Sequence, residues 1–333
     1  MKGLILTDKI SDRIAVRDVE LPELKDDEVL VEIRAAALNH RDQWCREGRY
    51  PNIQNGVILG SDGAGVVKKL GRDVDPTWQE KEVIINPAMN WGENQKAQSK
   101  DFQILGMPSH GTFAEFVVVK GDRLYTKPEH LSWEEAAALP LGGLTAYRSV
   151  FFHGKVEKGQ KVLVTGFGGG VAQFAAQFAV AAGAEVFVTS GKEEKLSIAR
   201  QQGVKEGFNY KKENWAEDAR KVTGGFDLVI DSAVGDTWGD LLKVLKPGGK
   251  LVFYGATLGN PTGLDMRRVF WNQLTIQGST MGSDSNFEEM LAFVKSTKIV
   301  PVVDQVFKLD DALQAFDRMK AGDQIGKIVL SMD

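Results

Sequence analysis

The chain has 333 residues with a formal net charge of −4; 43% of the residues are hydrophobic and 26% are charged. This length suffices for two domains with buried cores, and the composition is that of a soluble globular protein. Because no long run of one charge sign and no apolar stretch of roughly 18 residues occurs, we expect neither a nucleic-acid partner nor a membrane partner. The N-terminus also becomes charged too early for a signal peptide.

Cysteine usage points to a reducing compartment. Cys45 is the single cysteine of the chain. An intrachain disulfide and a multi-cysteine metal site are therefore excluded. We expect a cytoplasmic protein.

The first 126 residues are predicted to be rich in β-strands. Residues 28–39 alternate apolar and polar side chains as a half-buried strand does, and residues 65–71, 81–87 and 113–128 contain further short strands. This pattern indicates a small barrel or sandwich. Residues 88–110 have no clear period, so they are predicted to form a long loop that helps to shape a substrate pocket.

From about residue 127 the pattern changes to alternating strands and helices. Ser132, with acidic residues in the following turn, is suited to cap a first helix. Strands are then predicted at 161–166, 185–190, 226–231, 250–255 and 274–279, and helices are predicted to begin near Val171, Glu193, Glu213, Thr237 and Met266. Strands that are apolar throughout indicate a parallel sheet covered by helices on both faces.

A glycine-rich loop separates the strand at 161–165 from the helix that follows. Its spacing is Gly166-x-x-Gly169-x-x-Ala172, and Gly170 and Val171 open the helix. Residues without Cβ let backbone N–H groups approach a pyrophosphate closely at the positive end of a helix. The strand–loop–helix–strand context therefore predicts a dinucleotide-binding loop.

The end of the second strand of this region carries no acidic residue. In an NAD site an Asp or Glu about 20 residues after the glycine loop binds the ribose 2′-hydroxyl. Here that position holds Thr189, followed by Ser190 and Gly191, with Lys192 and Lys195 close behind. A hydroxyl, a glycine and an ammonium accommodate a 2′-phosphate, whereas an acid repels it. The predicted cofactor is therefore NADPH.

Two alternatives to this interpretation stay open. The glycine loop could be a flexible turn that binds nothing. Glu193 or Glu194 could reach back to the ribose while Lys195 lies in solvent. A nucleoside-triphosphate loop is disfavoured, because no Gly-Lys-Ser/Thr closes the motif.

Taken together, these residues resemble the medium-chain dehydrogenase/reductase superfamily, and most closely its zinc-free, quinone-oxidoreductase-like branch. The motifs are LNHRD at 38–42, GSDGAGVV at 60–67, GTFAEFVVV at 111–119, AAALPLGGLTAY at 136–147, VLVTGFGGGVA at 162–172, FNYKKENW at 208–215, FDLVIDSAVGD at 226–236 and GKIVL at 326–330. The resemblance implies an α/β protein with a GroES-like β-barrel domain and a Rossmann domain with a doubly wound parallel sheet. The domains expected are 1–126 (GroES-like, catalytic), 127–300 (Rossmann) and 301–333, which returns to the catalytic domain. It also implies a homodimer or homotetramer.

The resemblance assigns cofactor roles to individual positions. Gly191, Lys195 and Tyr210 match residues that hold the 2′-phosphate, and Asn39 and Thr145 match residues beside the nicotinamide. Gly255, Met281, Gly282 and Ser283 are expected at carboxyl ends of strands, where ligands lie in open α/β sheets.

The same comparison predicts that no metal is bound. The positions that hold catalytic zinc ligands in metal-containing relatives are Asn39, Ser61 and Leu141 here, and a catalytic zinc needs three protein ligands. A site improvised from His40, Asp42 and Asp62 is the alternative.

Without a metal, reduction of an acceptor that is already electrophilic fits best. We predict NADPH-dependent hydride transfer to a quinone or an α,β-unsaturated carbonyl, with Tyr50 or His40 as the proton donor. Tyr50 could instead be a packed loop aromatic, and His40 a surface or structural histidine. An alcohol dehydrogenase or aldehyde reductase of small alcohols, and a non-catalytic NADPH-binding sensor, are the competing functions.

Overall fold

A computed structural model describes residues 1–332 of the chain, which divide into two compact units. The first unit comprises residues 1–142 and the chain from residue 282 onward, and the second comprises residues 143–281. The first boundary, after residue 142, lies later than the predicted domain end at residue 126. The second, after residue 281, lies earlier than the predicted domain end at residue 300. The helix after Ser132 joins the first unit because it packs on that unit's strands, and Asp284 joins it because its carboxylate pairs with Arg123 at 2.6 Å.

The helices and strands follow one another in three stretches. Up to residue 142 they are β1 (Lys2–Leu6), β2 (Ile14–Asp18), β3 (Glu28–Ala37), α1 (His40–Arg46), β4 (Asp62–Leu70), β5 (Glu82–Ile85), β6 (Ala88–Met89), β7 (Gln103–Ile104), β8 (Phe116–Lys120), β9 (Leu124–Thr126), α2 (Trp133–Ala138) and α3 (Pro140–Tyr147), which continues past residue 142. The next are β10 (Lys161–Val164), α4 (Gly170–Ala181), β11 (Glu185–Ser190), α5 (Glu193–Gln201), β12 (Glu206–Asn209), α6 (Trp215–Thr223), β13 (Phe226–Asp231), α7 (Trp238–Val244), β14 (Leu245–Phe253), α8 (Met266–Trp271) and β15 (Thr275–Gly278). The last are α9 (Asp284–Thr297), β16 (Val303–Lys308), α10 (Ala312–Ala321) and β17 (Lys327–Ser331).

The first unit is built on a seven-stranded sheet. Its order is β16-β17-β3-β4-β5-β9, with β8 paired to β3, and over the described residues this is an open path of strands. The strand β17 pairs antiparallel with β3, so the end of the chain lies in the sheet of the first unit. The predicted loop at 88–110 contains one short pairing, between β6 and β7.

The second unit is a parallel six-stranded sheet in the order β12-β11-β10-β13-β14-β15. Numbered from β10, this is the 3-2-1-4-5-6 order of the doubly wound dinucleotide-binding fold. The predicted helix starts are within two residues of the observed ones. The strand β12 was not predicted, because the half-buried sequence EGFN at 206–209 is an edge strand without an apolar run.

The helices of the described chain, residues 1–332, also bear on the membrane question. None of them combines the length and the apolar character that crossing a bilayer requires. The helix after the glycine loop illustrates the difference, since α4 is mostly buried but is only 12 residues long.

Candidate functional site

The glycine loop, residues 166–170, lies in the second unit between β10 and α4. Gly166 has φ +65°, a conformation that favours glycine, and its N–H lies 3.3 Å from the Thr189 hydroxyl oxygen. A Cβ added at Gly166 or at Gly169 would meet no protein atom closer than 3.8 Å. Protein packing therefore does not demand glycine at these two positions, and the space beside the backbone can accept a ligand.

The sheet order places this loop where dinucleotides bind in related architectures. From β10, the strands β11 and β12 are added on one side of the sheet, and β13, β14 and β15 are added on the other. Ligands of open α/β sheets lie beyond the carboxyl ends of the strands at the point where the order changes side, here between β10 and β13. The loop follows β10 directly and α4 begins at Gly170. Amide groups at the start of this helix are therefore suited to a pyrophosphate.

The carboxyl end of β13 is occupied by Asp231, but this carboxylate is fully engaged. It accepts hydrogen bonds from the Thr165 hydroxyl, from the Val234 N–H at 2.8 Å and from the Trp238 indole N–H at 3.0 Å. Asp231 is only 1% exposed. Asp231 therefore connects the end of β13 to Thr165, which precedes the glycine loop, and both of its oxygens are used within the protein and not for a ribose.

The residues predicted to hold a phosphorylated ribose lie at and near the end of β11. Ser190 closes the strand, and a Cβ at the next residue, Gly191, would lie 2.8 Å from the Tyr210 hydroxyl oxygen, so Tyr210 packs directly over Gly191. Lys195 is buried in the first turn of α5, and Tyr210 is 47% exposed. Gly191 and Tyr210 are thus brought together, as the resemblance implies.

The acidic alternative at this strand end is weakened by the contacts of Glu193. Its carboxylate accepts a hydrogen bond from the Asn209 side chain at 2.9 Å and lies 3.8 Å from the Lys212 ammonium. Both contacts are to Oε1, and they orient the carboxylate towards Asn209 and Lys212.

The remaining predicted cofactor residues fall in both units. Thr145, in α3, donates its hydroxyl to the Met281 sulfur at 3.8 Å, and Met281 adopts φ +42°. Gly255 follows β14 closely. Ser283, which follows Gly282 in the first unit, caps α9. Whether these positions contact a cofactor stays a prediction.

A buried polar cluster stands in the first unit at the positions that resemble a zinc site. The Lys327 ammonium, on β17, donates to the Asn39 side-chain oxygen at 2.7 Å and to the Asp62 carboxylate at 2.9 Å. The Asn39 amide nitrogen donates to the same Asp62 oxygen at 2.9 Å, and the other Asp62 oxygen accepts the Leu141 N–H at 2.7 Å. The cluster joins the start of α1, β4, α3 and β17.

The two acids at and near this cluster, Asp62 and Asp42, accept hydrogen bonds from backbone N–H groups. Besides the Asp62 contact, one Asp42 oxygen accepts the Asn39 N–H at 2.8 Å, while its other oxygen is buried without a partner among the described residues. Burial is the main cause that raises the pKa of Asp42 to about 6, and the nearby Arg41 guanidinium opposes the shift. Both carboxylates are buried and accept backbone N–H groups, which favours a structural role over that of a metal ligand or a base.

Tyr50 is held by a buried arginine of the LNHRD motif. The Arg41 Nε donates to the Tyr50 hydroxyl oxygen at 3.3 Å, and the guanidinium carbon lies 4.8 Å from the Tyr50 ring centre. Arg41 also donates to the Ser61 hydroxyl at 2.6 Å and to the Leu105 carbonyl at 2.8 Å. This one side chain therefore ties Tyr50 to the predicted loop at 88–110.

His40 and Cys45 have weaker chemistry. The pKa of His40 is lowered, chiefly by desolvation and secondarily by the Lys327 ammonium, although much of the imidazole surface remains accessible to solvent. Burial raises the pKa of the Cys45 thiol to about 12, so an inert thiol is the better interpretation.

The donor set does not fit zinc. Asn39, Ser61 and Leu141 stand at the positions that resemble zinc-ligand positions, and the buried Lys327 ammonium donates to the Asn39 and Asp62 oxygens there. Within residues 1–332, no group of three His, Cys, Asp or Glu side chains is arranged to hold a metal ion.

The sequence interpretation missed the parts played by Lys327 and Arg41. Both stand inside quoted motifs, GKIVL and LNHRD, but neither motif reveals a partner. The sequence does contain an indication for Arg41, which follows the apolar residues 35–38 by three positions. An arginine so close to a buried strand end needs buried hydrogen-bond acceptors.

Comparison with known protein families matches both halves of the chain. A model of the GroES-like domain of alcohol dehydrogenases matches residues 25–129, and a model described as zinc-binding dehydrogenase matches residues 170–296.

Individual proteins match over almost the whole chain. A zinc-type alcohol dehydrogenase-like protein of Schizosaccharomyces pombe is 35% identical, with 99% of each chain covered. A crotonyl-CoA reductase of Streptomyces avermitilis is 29% identical, covering 91% of this chain and 78% of that protein. The crystal structure of an NAD-dependent alcohol dehydrogenase superposes with a TM-score of 0.95 at 37% identity, with both chains fully covered.

Proposed function

The chain belongs to the medium-chain dehydrogenase/reductase superfamily, and from that premise we propose that it is an NADPH-dependent reductase of quinones or α,β-unsaturated carbonyls that works without a metal. Oxidoreductase activity follows from the family. The observation that carries the finer proposal is the acid-free end of β11, where Gly191 lies under the Tyr210 hydroxyl and Lys195 follows in α5.

The glycine loop and the β11 end divide the binding of the dinucleotide between them. The amides that follow Gly166 and Gly169 would hold the pyrophosphate at the start of α4. Ser190, Gly191 and Tyr210 would surround the 2′-phosphate, with Lys195 supplying positive charge. When bound, NADPH supplies the hydride.

The acceptor is inferred from the unfit zinc position. Alcohol dehydrogenases that hold a catalytic zinc use it as a Lewis acid to activate the alcohol, and Asn39, Ser61 and Leu141 cannot supply the ligands for one. A quinone or a conjugated carbonyl is electrophilic already and needs only orientation, a hydride and a proton. The crotonyl-CoA reductase similarity supports this choice, because crotonyl-CoA is an α,β-unsaturated thioester.

Tyr50 is the proposed proton donor. Its oxygen accepts a hydrogen bond from Arg41, which leaves its own O–H free to donate elsewhere. His40 is the second choice, because desolvation and the Lys327 ammonium lower its pKa and so disfavour the imidazolium that would be the stronger proton donor.

Two competing functions follow from specific observations. The similar structure named as an NAD-dependent alcohol dehydrogenase favours oxidation of small alcohols with NAD⁺. The short supply of proton donors favours a sensor that binds NADPH without turnover.

Steady-state assays separate the three functions. NADPH and NADH oxidation would be followed with 9,10-phenanthrenequinone and with a small enone, and NADP⁺ and NAD⁺ reduction with ethanol and benzyl alcohol. The proposal requires NADPH-dependent turnover of a quinone or enone in the presence of a chelator. Turnover of alcohols alone would overturn it in favour of the dehydrogenase, and NADPH binding without turnover in favour of the sensor.

A further inference from the structure

A second lysine reaches the end of β11 from a different part of the chain. A Cβ at Gly191 would lie 2.8 Å from the Lys211 Cε, as close as it would lie to the Tyr210 hydroxyl. The Lys211 side chain is thus folded over Gly191 beside the Tyr210 ring. Its ammonium is one bond beyond Cε, so it lies at the same strand end.

The charge on Lys211 is not used inside the protein. No hydrogen bond or ion pair of the Lys211 ammonium occurs within the described part of the chain, where only its backbone N–H is bonded, to Asn209. The neighbouring cations differ, since Lys212 lies 3.8 Å from the Glu193 carboxylate and Arg200 lies 2.6 Å from Glu206. Glu193, the acid that could neutralise this end of the strand, is occupied by Asn209 and Lys212.

We propose that Lys211 is a specificity-determining residue, a second cation for the 2′-phosphate that makes the chain prefer NADPH to NADH. The inference rests on the proposed use of NADPH. A phosphate monoester carries close to two negative charges at neutral pH, so one lysine does not balance it. Lys211 supplies a further positive charge. Because Gly191 has no side chain, the Lys211 and Tyr210 side chains can lie close to the backbone at this strand end.

The backbone of β12 explains why this lysine is so placed. The strand β12 ends at Asn209 and pairs with β11 in register Ser190 to Asn209. The Asn209 side chain then accepts the Lys211 N–H at 3.0 Å, which turns the chain back over the end of β11. The turn delivers Tyr210 and Lys211 together onto Gly191.

The test compares three variants of the full chain. Lys211→Gln removes the charge and keeps most of the length, Lys211→Arg keeps the charge, and Lys221→Gln, at an exposed lysine of α6 that pairs with Asp218, is the control. Dissociation constants for NADPH and for NADH would be measured by titration calorimetry at low ionic strength, with circular dichroism and melting temperature to confirm folding. We expect Lys211→Gln to raise the Kd for NADPH roughly tenfold and to leave that for NADH unchanged, while Lys211→Arg and Lys221→Gln resemble the parent for both.

The possible results distinguish this inference from the proposed function. If the parent protein shows no preference for NADPH, the proposed cofactor and the inference both fail. If the parent prefers NADPH and Lys211→Gln keeps the same preference, only the inference fails. Equal weakening of NADPH and NADH would also overturn it, because Lys211 would then support the adenosine or the fold and not the phosphate.

Discussion

The Lys327 ammonium and the Asp62 carboxylate form a buried ion pair across 265 residues of sequence, with Nζ 2.9 Å from Oδ2. The two side chains are 4% and 0% exposed. Buried ions of this kind are tolerated when further hydrogen bonds satisfy them, and here Asn39 and the Leu141 N–H do so. A protein cation therefore stands where metal-containing relatives are expected to hold zinc.

Removing one partner of this pair should destabilise the fold strongly. Lys327→Met leaves a buried carboxylate without its cation, and we expect the free energy of unfolding to fall by about 3 to 5 kcal/mol. Adding Asp62→Asn should restore most of the loss, since the charge and not the volume is at fault. Urea unfolding of the single and double variants measures this coupling. Lys2→Met, which breaks the exposed pair with Asp310, is the control and should leave the free energy of unfolding nearly unchanged. If the losses of unfolding free energy in Lys327→Met and Asp62→Asn simply add in the double variant, the prediction is contradicted.

Asp42 should make stability depend on pH. Burial raises its pKa to about 6, against about 3.9 in the unfolded chain, so between these values the native state holds a proton that the unfolded state has released. Stability from this carboxyl is therefore present at low pH and is lost as the pH rises through about 6. The Arg41 and Lys327 cations lower this pKa and the Asp62 carboxylate raises it, but desolvation is the larger effect.

Asp42→Asn tests this titration, because the amide keeps an acceptor for the Asn39 N–H without an ionisable group. The melting temperature of the variant minus that of the parent should increase between about pH 4 and 6 and become constant above about pH 7. A difference that does not change with pH would show that Asp42 does not titrate in this range.

The predictable parts of the molecule are local in sequence. The glycine loop, the helix starts and the parallel strands depend on residues that are neighbours in sequence. The predicted helix starts lie within two residues of the observed ones. The Lys327 contacts to Asn39 and Asp62 join segments that are far apart in the chain, so no periodicity or motif reveals them. Lys211 reaches Gly191 only because β12, a strand without an apolar signature, pairs with β11.

Tyr50 should affect chemistry and not cofactor binding. Tyr50→Phe removes the hydroxyl that we assign as proton donor, and kcat for a quinone or enone should fall about a hundredfold while the Kd for NADPH stays the same. Tyr210→Phe is the contrasting variant, because its hydroxyl lies over Gly191. It should weaken NADPH binding and leave kcat at saturating NADPH intact. An unchanged kcat in Tyr50→Phe would rule out the assignment and turn attention to His40.

Lys195 should determine much of the affinity for NADPH. If it binds the 2′-phosphate, Lys195→Ala should cost roughly 1.5 to 3 kcal/mol, a tenfold to hundredfold rise in Kd, with a much smaller effect on NADH. Glu193→Gln is the companion variant, and it should leave the Kd for NADH unchanged because Asn209 and Lys212 already hold that carboxylate. An unaltered Kd for NADPH in Lys195→Ala would refute the role of Lys195, and loss of NADH binding in Glu193→Gln would favour the acidic alternative.

The edge of the second unit should mediate self-association. The strand β15 pairs with β14 on one side only over the described residues, and Phe270 and Trp271, just before it, are 68% and 79% exposed. An open strand edge beside exposed aromatic rings is a site of pairing, and an edge strand can pair antiparallel with the same strand of a second copy about a two-fold axis. We therefore expect a homodimer or a larger even-numbered assembly in solution. Light scattering after size exclusion should show that Phe270→Glu combined with Trp271→Glu yields monomers. The control is Val222→Glu, at a residue of α6 that is also 68% exposed, and this variant should keep the assembly of the parent. A parent protein that elutes as a monomer, or a double variant that still dimerises, would exclude this edge as the interface.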